Sequence, residues 1–292
     1  MKKYLFISMV SALVLSSCTN AEPDVVTPSN LMEFTVEHPA TRATATEFEE
    51  GDKMGVFVTK YEEDKALPLQ ISGNYASNIC STLNGDKWVN SPAIYWSEGK
   101  FDVYAYYPYA KPNSADEYLF NVSLDQSTEE SEDSLSGYEA SDFMWAKATG
   151  VTQTDAVPLT FSHKMSKVVI NLIKGEDYNG DIPSEAVVKI HSTVPGAVVD
   201  LTSGMVTKNG YVPAQTITAK KVETGVYTAI IVPQRLDNKK PLFEILSHGV
   251  SYLVESKFVF RSGIQHTINL TMNNNPEKVR IEIGGEVDNG WQ

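Results

Sequence analysis

LTFSHKMSKVVINLI, Leu159 to Ile173, is the stretch on which the fold class turns. Phe161, Met165 and Val168-Val169 are spaced to share a helix face, yet the same residues also fit a strand. The β-branched run Val168-Val169-Ile170 favours the strand, because such side chains lose χ1 freedom in a helix and pack well on a pleated surface. Downstream, a turn cluster at Asp177 to Pro183 opens a series of short strand candidates: Val187 to His191, Ala197 to Leu201, Met205-Val206, Thr216 to Ala219, Val226 to Val232, Leu242 to Leu246, Ser251 to Glu255 and Phe258 to Phe260. Gly, Pro and Asn separate them. Short strands at roughly ten-residue intervals with turn signals between them predict an all-β chain of antiparallel sandwich type, not a βαβ sheet.

The same rhythm runs outward to both ends. Ile264, His266, Ile268, Leu270 and Met272 alternate with polar residues, and beyond Asn273-Asn274-Asn275-Pro276 so do Val279, Ile281 and Ile283, giving two closing strands before Trp291. Upstream, FDVYAYYPY (Phe101 to Tyr109) places Phe101, Val103 and Ala105 on one face and Asp102, Tyr104 and Tyr106 on the other. Asn84-Gly85-Asp86 is a hairpin signal leading to Trp88 and Ala93-Ile94-Tyr95-Trp96, and Gly51-Asp52 opens the strand Met54 to Val58. Asn113 to Asp142, acidic and serine-rich, is expected to be a long, partly ordered loop.

The first strand candidate is LMEFTVE, Leu31 to Glu37, in which Met32, Phe34 and Val36 alternate with Glu33, Thr35 and Glu37. Pro39 ends the pattern. Arg42, the only arginine in the first two hundred residues, follows in a run of small residues open to a trypsin-like protease. A strand followed at once by a cleavable bond can be removed from the fold.

Length allows one large β domain or two ordinary ones. With 37 Asp and Glu against 24 Lys and Arg, net charge −13 and a pI near 4.9, the surface repels phosphate backbones, so nucleic acid is not an expected partner. Met1-Lys2-Lys3 and the apolar run Tyr4 to Leu15 form the charged and hydrophobic regions of a signal peptide. Leu15-Ser16-Ser17-Cys18 resembles a bacterial lipobox, which implies lipidation of Cys18, and lipid chains anchor at roughly 0.8 kcal/mol per buried CH₂. Thr19 to Asn30 reads as a tether. With Cys18 lipidated, Cys80 has no disulfide partner and is read as a small apolar packing residue.

No nucleophile elbow, zinc-binding H-E-x-x-H, P-loop or dinucleotide fingerprint occurs, and the five histidines lack metal-ligand spacing. Neither a catalytic residue nor a metal or cofactor is expected; His163 is read as a packing residue and Asp177 to Asp181 as a turn. Tyr104, Tyr106, Tyr107 and Tyr109 with Trp88, Tyr95 and Trp96 offer either sandwich core or a sugar-stacking platform. The second option would make the chain a non-polymerising, glycan-binding surface lipoprotein.

In order and spacing the chain resembles the fimbrillin family, the FimA/Mfa-type pilins of Bacteroidales type V pili. The resemblance is carried by Cys18, Thr41-Arg42-Ala43, Gly51-Asp52-Lys53-Met54-Gly55-Val56-Phe57, Trp88 with Ile94-Tyr95-Trp96, Tyr104-Ala105-Tyr106-Tyr107-Pro108, Pro158 to Val168, and His266-Thr267-Ile268-Asn269-Leu270. It implies two transthyretin-like antiparallel β-sandwich domains in tandem, residues 43–157 and 158–292, preceded by a lipoprotein signal (1–17), a tether (18–30) and a removable first strand (31–42). It further implies export to the outer membrane as a lipid-anchored precursor and cleavage between Arg42 and Ala43 by an arginine-specific protease. Release of Met32, Phe34 and Val36 would then let a neighbouring subunit's C-terminal strand enter. Val279, Ile281 and Ile283 are the expected donor residues, assisted by Ile268 and Leu270. Partners are accordingly other pilin subunits, the lipid bilayer, the protease and a surface receptor for adhesion.

Overall fold

The stretch Leu159–Ile173 is extended in the computed structural model, which describes residues 30–37, 48–131 and 134–287. In chain order the strands begin with β1 (Phe34–Glu37), β2 (Lys53–Glu62), β3 (Lys65–Ala66), β4 (Ala76–Asn84), β5 (Lys87–Ser91), β6 (Phe101–Tyr107) and β7 (Tyr118–Asn121). They continue with β8 (Met144–Val151), β9 (Val157–Thr160), β10 (Ser162–His163), β11 (Ser166–Lys174), β12 (Val187–Thr193), β13 (Gly196–Asp200) and β14 (Met205–Lys208). The last are β15 (Gln215–Thr218), β16 (Lys220–Glu223), β17 (Val226–Ile231), β18 (Gln234–Ser247), β19 (Val250–Phe260), β20 (Gln265–Met272) and β21 (Arg280–Val287). The ambiguous stretch thus supplies β9, β10 and β11.

Five sheets result. A seven-stranded sheet runs β10-β8-β6-β2-β4-β5, with β3 paired to β2; β1 and β9 form a separate pair. The C-terminal half contributes facing sheets β15-β12-β18-β19 and β16-β17-β11-β20-β21, and a third, β14-β13-β7, recruits β7 from the N-terminal half. Pairing is antiparallel except at β1–β9 and β11–β20.

The seven-stranded sheet is covered on both faces. Along β6, Phe101, Val103, Ala105 and Tyr107 enter one core with Met32, Phe34, Trp88, Trp96, Leu159 and Phe161. Tyr104 and Tyr106 on the opposite face join Tyr118, Phe120 and Phe143 in a larger core that continues through Val168, Ile170, Phe243, Ile268 and Leu270. Gly55 stands opposite Tyr106 in the β2–β6 register, and a Cβ there would lie 2.2 Å from the Tyr106 ring. Only glycine lets that ring lie across the strand.

The expected loop Asn113–Asp142 is corrected by the structure. Tyr118, Phe120 and Val122 are buried, β7 pairs with β13, and Gln126 carries its side chain fully into the interior. The Gln126 amide donates to the Ile230 carbonyl (2.7 Å) and accepts from the Ile230 N–H (2.7 Å), replacing a strand neighbour for β17. Pro158 lies within β9, exposed between Val157 and Leu159, which belong to the first core.

Candidate functional site

The strand read as removable sits in a slot. Met32 is fully buried and Phe34 is 4% exposed, while Val36 is half-buried against the same core. Their alternation puts all three on the inward face of an extended segment. On one side β1 runs parallel to β9, with Phe34 opposite Val157 and Val36 opposite Leu159, and the Val157 N–H donates to the Glu33 carbonyl (2.8 Å). On the other, the segment after β5 closes the slot: the Met32 N–H donates to Ile94 O and the Trp96 N–H to Asn30 O, both at 2.8 Å, and the Asn90 amide donates to Met32 O at 2.9 Å. The floor is aromatic. Phe48 packs edge-on against Trp88 (5.2 Å), Tyr107 (5.1 Å) and Phe161 (5.5 Å).

Two polar atoms in the slot wall, Trp96 Nε1 and Asn90 Oδ1, are buried without a hydrogen-bond partner. At the base, the Tyr107 hydroxyl donates to Asp52 Oδ1 at 2.8 Å; burial first, then the Asp52 charge, pushes this phenol far above its ordinary range, so it stays neutral.

The expected donor residues lie at the other end. β21 is the edge of its sheet, paired only with β20, Ile281 opposite Leu270 and Ile283 opposite Ile268. Val279 and Ile281 are half-buried against the larger core, whereas Ile283 is 57% exposed. Ile268 and Leu270 are fully buried on β20, between β11 and β21, so β20 is a sheet interior and β21 an edge. Cys18, Arg42 and Ala43 fall outside the described residues.

The sugar-stacking platform is corrected. Trp88, Trp96, Tyr104, Tyr106 and Tyr107 are all under 9% exposed, and of that set Tyr95, at 55%, is the one open to solvent. These aromatics build the two cores. Among the described residues no group of three or more His, Cys, Asp or Glu side chains is placed to hold a metal. His163 is buried, its Nδ1 2.9 Å from Asp142 Oδ1, in the junction between the halves. Cys80 is free and half-buried on β4. Sequence reasoning missed Asn90, Ile94 and Val157 as slot residues, because their role is to offer backbone and amide groups that no residue pattern marks.

A family model described as fimbrillin-like matches residues 41–289. Among solved structures, one from Bacteroides ovatus described as a candidate cell adhesion protein superposes with a TM-score of 0.68 at 22% identity, covering 90% of this chain and 98% of that one. A second so described, from Bacteroides uniformis, gives 0.63 at 18% identity, covering 84% and 93%. A fimbrial protein from Bacteroides ovatus gives 0.51 at 16%, covering 82% of this chain and 48% of that one. A search of curated proteins gives no match. These likenesses establish a shared β-sandwich fold, and the family model covers most of the chain.

Proposed function

The chain belongs to the fimbrillin-like family, and from that premise we propose that it is a structural subunit of a cell-surface fimbria that polymerises by strand exchange and supports adhesion. It is no enzyme in this reading. Export proceeds as an outer-membrane lipoprotein anchored at Cys18; cleavage after Arg42 then separates β1 from the rest of the chain, and β21 of a neighbour takes the slot. The two halves divide a few residues past Pro158, where β10 gives way to β11.

The observation that carries this reading is the unequal standing of β1. It belongs to a two-stranded pair and holds the body through few backbone bonds, yet it supplies Met32 and Phe34 to the centre of a core. Two fully buried knobs and one half-buried one contribute roughly 4–7 kcal/mol, a large part of the total of about 5–15 kcal/mol expected for a domain. While the chain is intact, β1 is tethered at a high effective concentration and outcompetes any incoming strand. Cutting at Arg42 removes that advantage. The vacated slot then presents Val157, Leu159 and Trp96, with the Val157 and Trp96 N–H groups and the Ile94 carbonyl left unpaired, a surface suited to β-strand addition.

Treatment of the full chain with an arginine-specific protease should give a new N-terminus at Ala43 and concentration-dependent oligomers. Deleting Pro276 to Gln292 should leave cleavage intact and abolish assembly. An Arg42→Ala chain that oligomerises as well as the parent under the same treatment would refute the trigger.

A further inference from the structure

The charge of this protein is divided between its halves. Residues 43–157 carry seven Lys and Arg against twenty Asp and Glu, whereas residues 158–292 carry fourteen against thirteen. The basic excess has a location. An open cleft of about 330 Å³ between edge strands β19 and β21 is lined by Arg235, Lys257 and Arg261 around an apolar floor that includes Val259 and Ile283, which are 39% and 57% exposed. Arg235 is paired with Asp237 on the same rim, and the residues lining the cleft carry three cations against that one carboxylate. The rim of the first-strand slot has the opposite sign. Exposed Glu98 lies two residues beyond Trp96, Asp155 two before Val157, and Glu49 and Glu50 follow Phe48; Lys87 opposes them from β5, while Lys100 is engaged by Asp64 at 2.9 Å.

We infer that the cleft between β19 and β21 docks on the acidic rim of the slot in a second copy of this chain, fixing a head-to-tail order before any strand is exchanged. The inference rests on the polymerisation reading and adds to it a docking surface and a direction. Two copies of the same face repel, acidic rim against acidic rim and basic cleft against basic cleft. The acidic-to-basic encounter is attractive and places Ile283, on the strand that peels, beside the slot. Such a heterologous contact does not close on itself and so propagates. Steering of this type acts on the association rate and weakens with salt.

The test follows turbidity or light scattering of the Arg42-cleaved chain. Assembly of the parent should slow roughly tenfold or more between low salt and a few tenths molar NaCl. Arg235→Glu with Lys257→Glu should slow it comparably at low salt, as should Glu98→Lys with Asp155→Lys. Mixing those two variants should restore the parental rate, because each new face then meets its complement. Neutral Arg235→Gln with Lys257→Gln, with an unchanged melting temperature, should give an intermediate rate and separates charge from folding. A parent that assembles at a rate indifferent to salt and to both reversals overturns the docking inference and leaves strand exchange standing. A cleaved parent that does not assemble overturns both.

Discussion

Phe34→Ala separates a structural strand from a temporary one. Phe34 is 4% exposed and lies in the core that also holds Trp88, Trp96 and Phe161. Truncating a buried phenylalanine costs roughly 3–5 kcal/mol, and a slot at the margin of a core can relax somewhat, so we expect about 3–4 kcal/mol in the uncleaved chain. With a urea slope of about 3 kcal/mol per molar, the first unfolding midpoint should fall by about 1 M. After cleavage at Arg42 the same loss weakens only the hold on the severed strand. At about 1.4 kcal/mol per tenfold, the fragment carrying β1 should leave roughly 150- to 700-fold faster, measured by its separation from the core on size exclusion. The assembled polymer, having discarded β1, should then match the parent in urea resistance. A loss below about 1 kcal/mol in the intact chain would show that β1 is peripheral. An equal loss in the polymer would show that β1 never leaves.

Other outcomes follow from the same geometry. Gln126→Leu strands the N–H and C=O of Ile230 in the interior and should cost roughly 2–4 kcal/mol, a drop of about 5–10 °C in melting temperature by calorimetry. Gly55→Ala drives a methyl into the Tyr106 ring, whose hydroxyl is held 2.8 Å from both Asn78 Oδ1 and the Ala110 carbonyl; a cost of about 3 kcal/mol should be partly recovered in Gly55→Ala with Tyr106→Leu. The Ser251 hydroxyl, donating at 2.6 Å, holds the Glu244 carboxyl below its ordinary 4.5, with burial opposing and His191 adding to the effect. That contribution is complete above the ordinary value and is lost as pH falls through the lowered one, so Glu244→Gln should flatten the acid limb of a stability–pH profile. Burial raises Tyr106 and Tyr107, so an ultraviolet titration should find them silent until the fold opens in alkali.

Much of the fold is legible in residue patterns, because alternation reports directly on a half-buried strand. Gln265 to Met272 forms β20 with His266, Ile268, Leu270 and Met272 buried as the alternation predicts, and Met32 and Phe34 are where period two puts them; β21 forms too, but its Ile281 is half-buried and its Ile283 is 57% exposed. Direction and partners are not legible. Nothing in Val157–Thr160 announces a parallel match with Phe34–Glu37, since side-chain period is the same for either orientation. The Asn113–Asp142 segment was obscured by its acidic composition, although Tyr118, Phe120 and Val122 alternate through it; three buried positions amid serines and acids carry less weight than the charge around them. β4 escaped notice for a related reason: its mixed, largely half-buried residues follow neither period cleanly. The slot's walls are backbone groups, which composition does not record.

The stitching of β7 and Gln126 into the C-terminal sheets bears on how the chain would carry load in the proposed fibre. In a fibre of the proposed kind, joined slot to strand, tension would pass through the molecule from β9 toward β21, and the covalent path between the halves is the short run from His163, the end of β10, to Ser166, the start of β11. Alongside that run, the β7–β13 ladder and the paired hydrogen bonds of Gln126 to Ile230 tie the same two bodies together. Tension is therefore shared among parallel attachments, and the run cannot lengthen until they fail. Further along, β20 is matched over eight residues to β11, Lys167–Gln265 through Lys174–Met272, so a pull along the strands meets those contacts in shear, all at once. If the chain polymerises as proposed, these attachments would stiffen the subunit along the fibre and leave the exchanged strand as the joint under load.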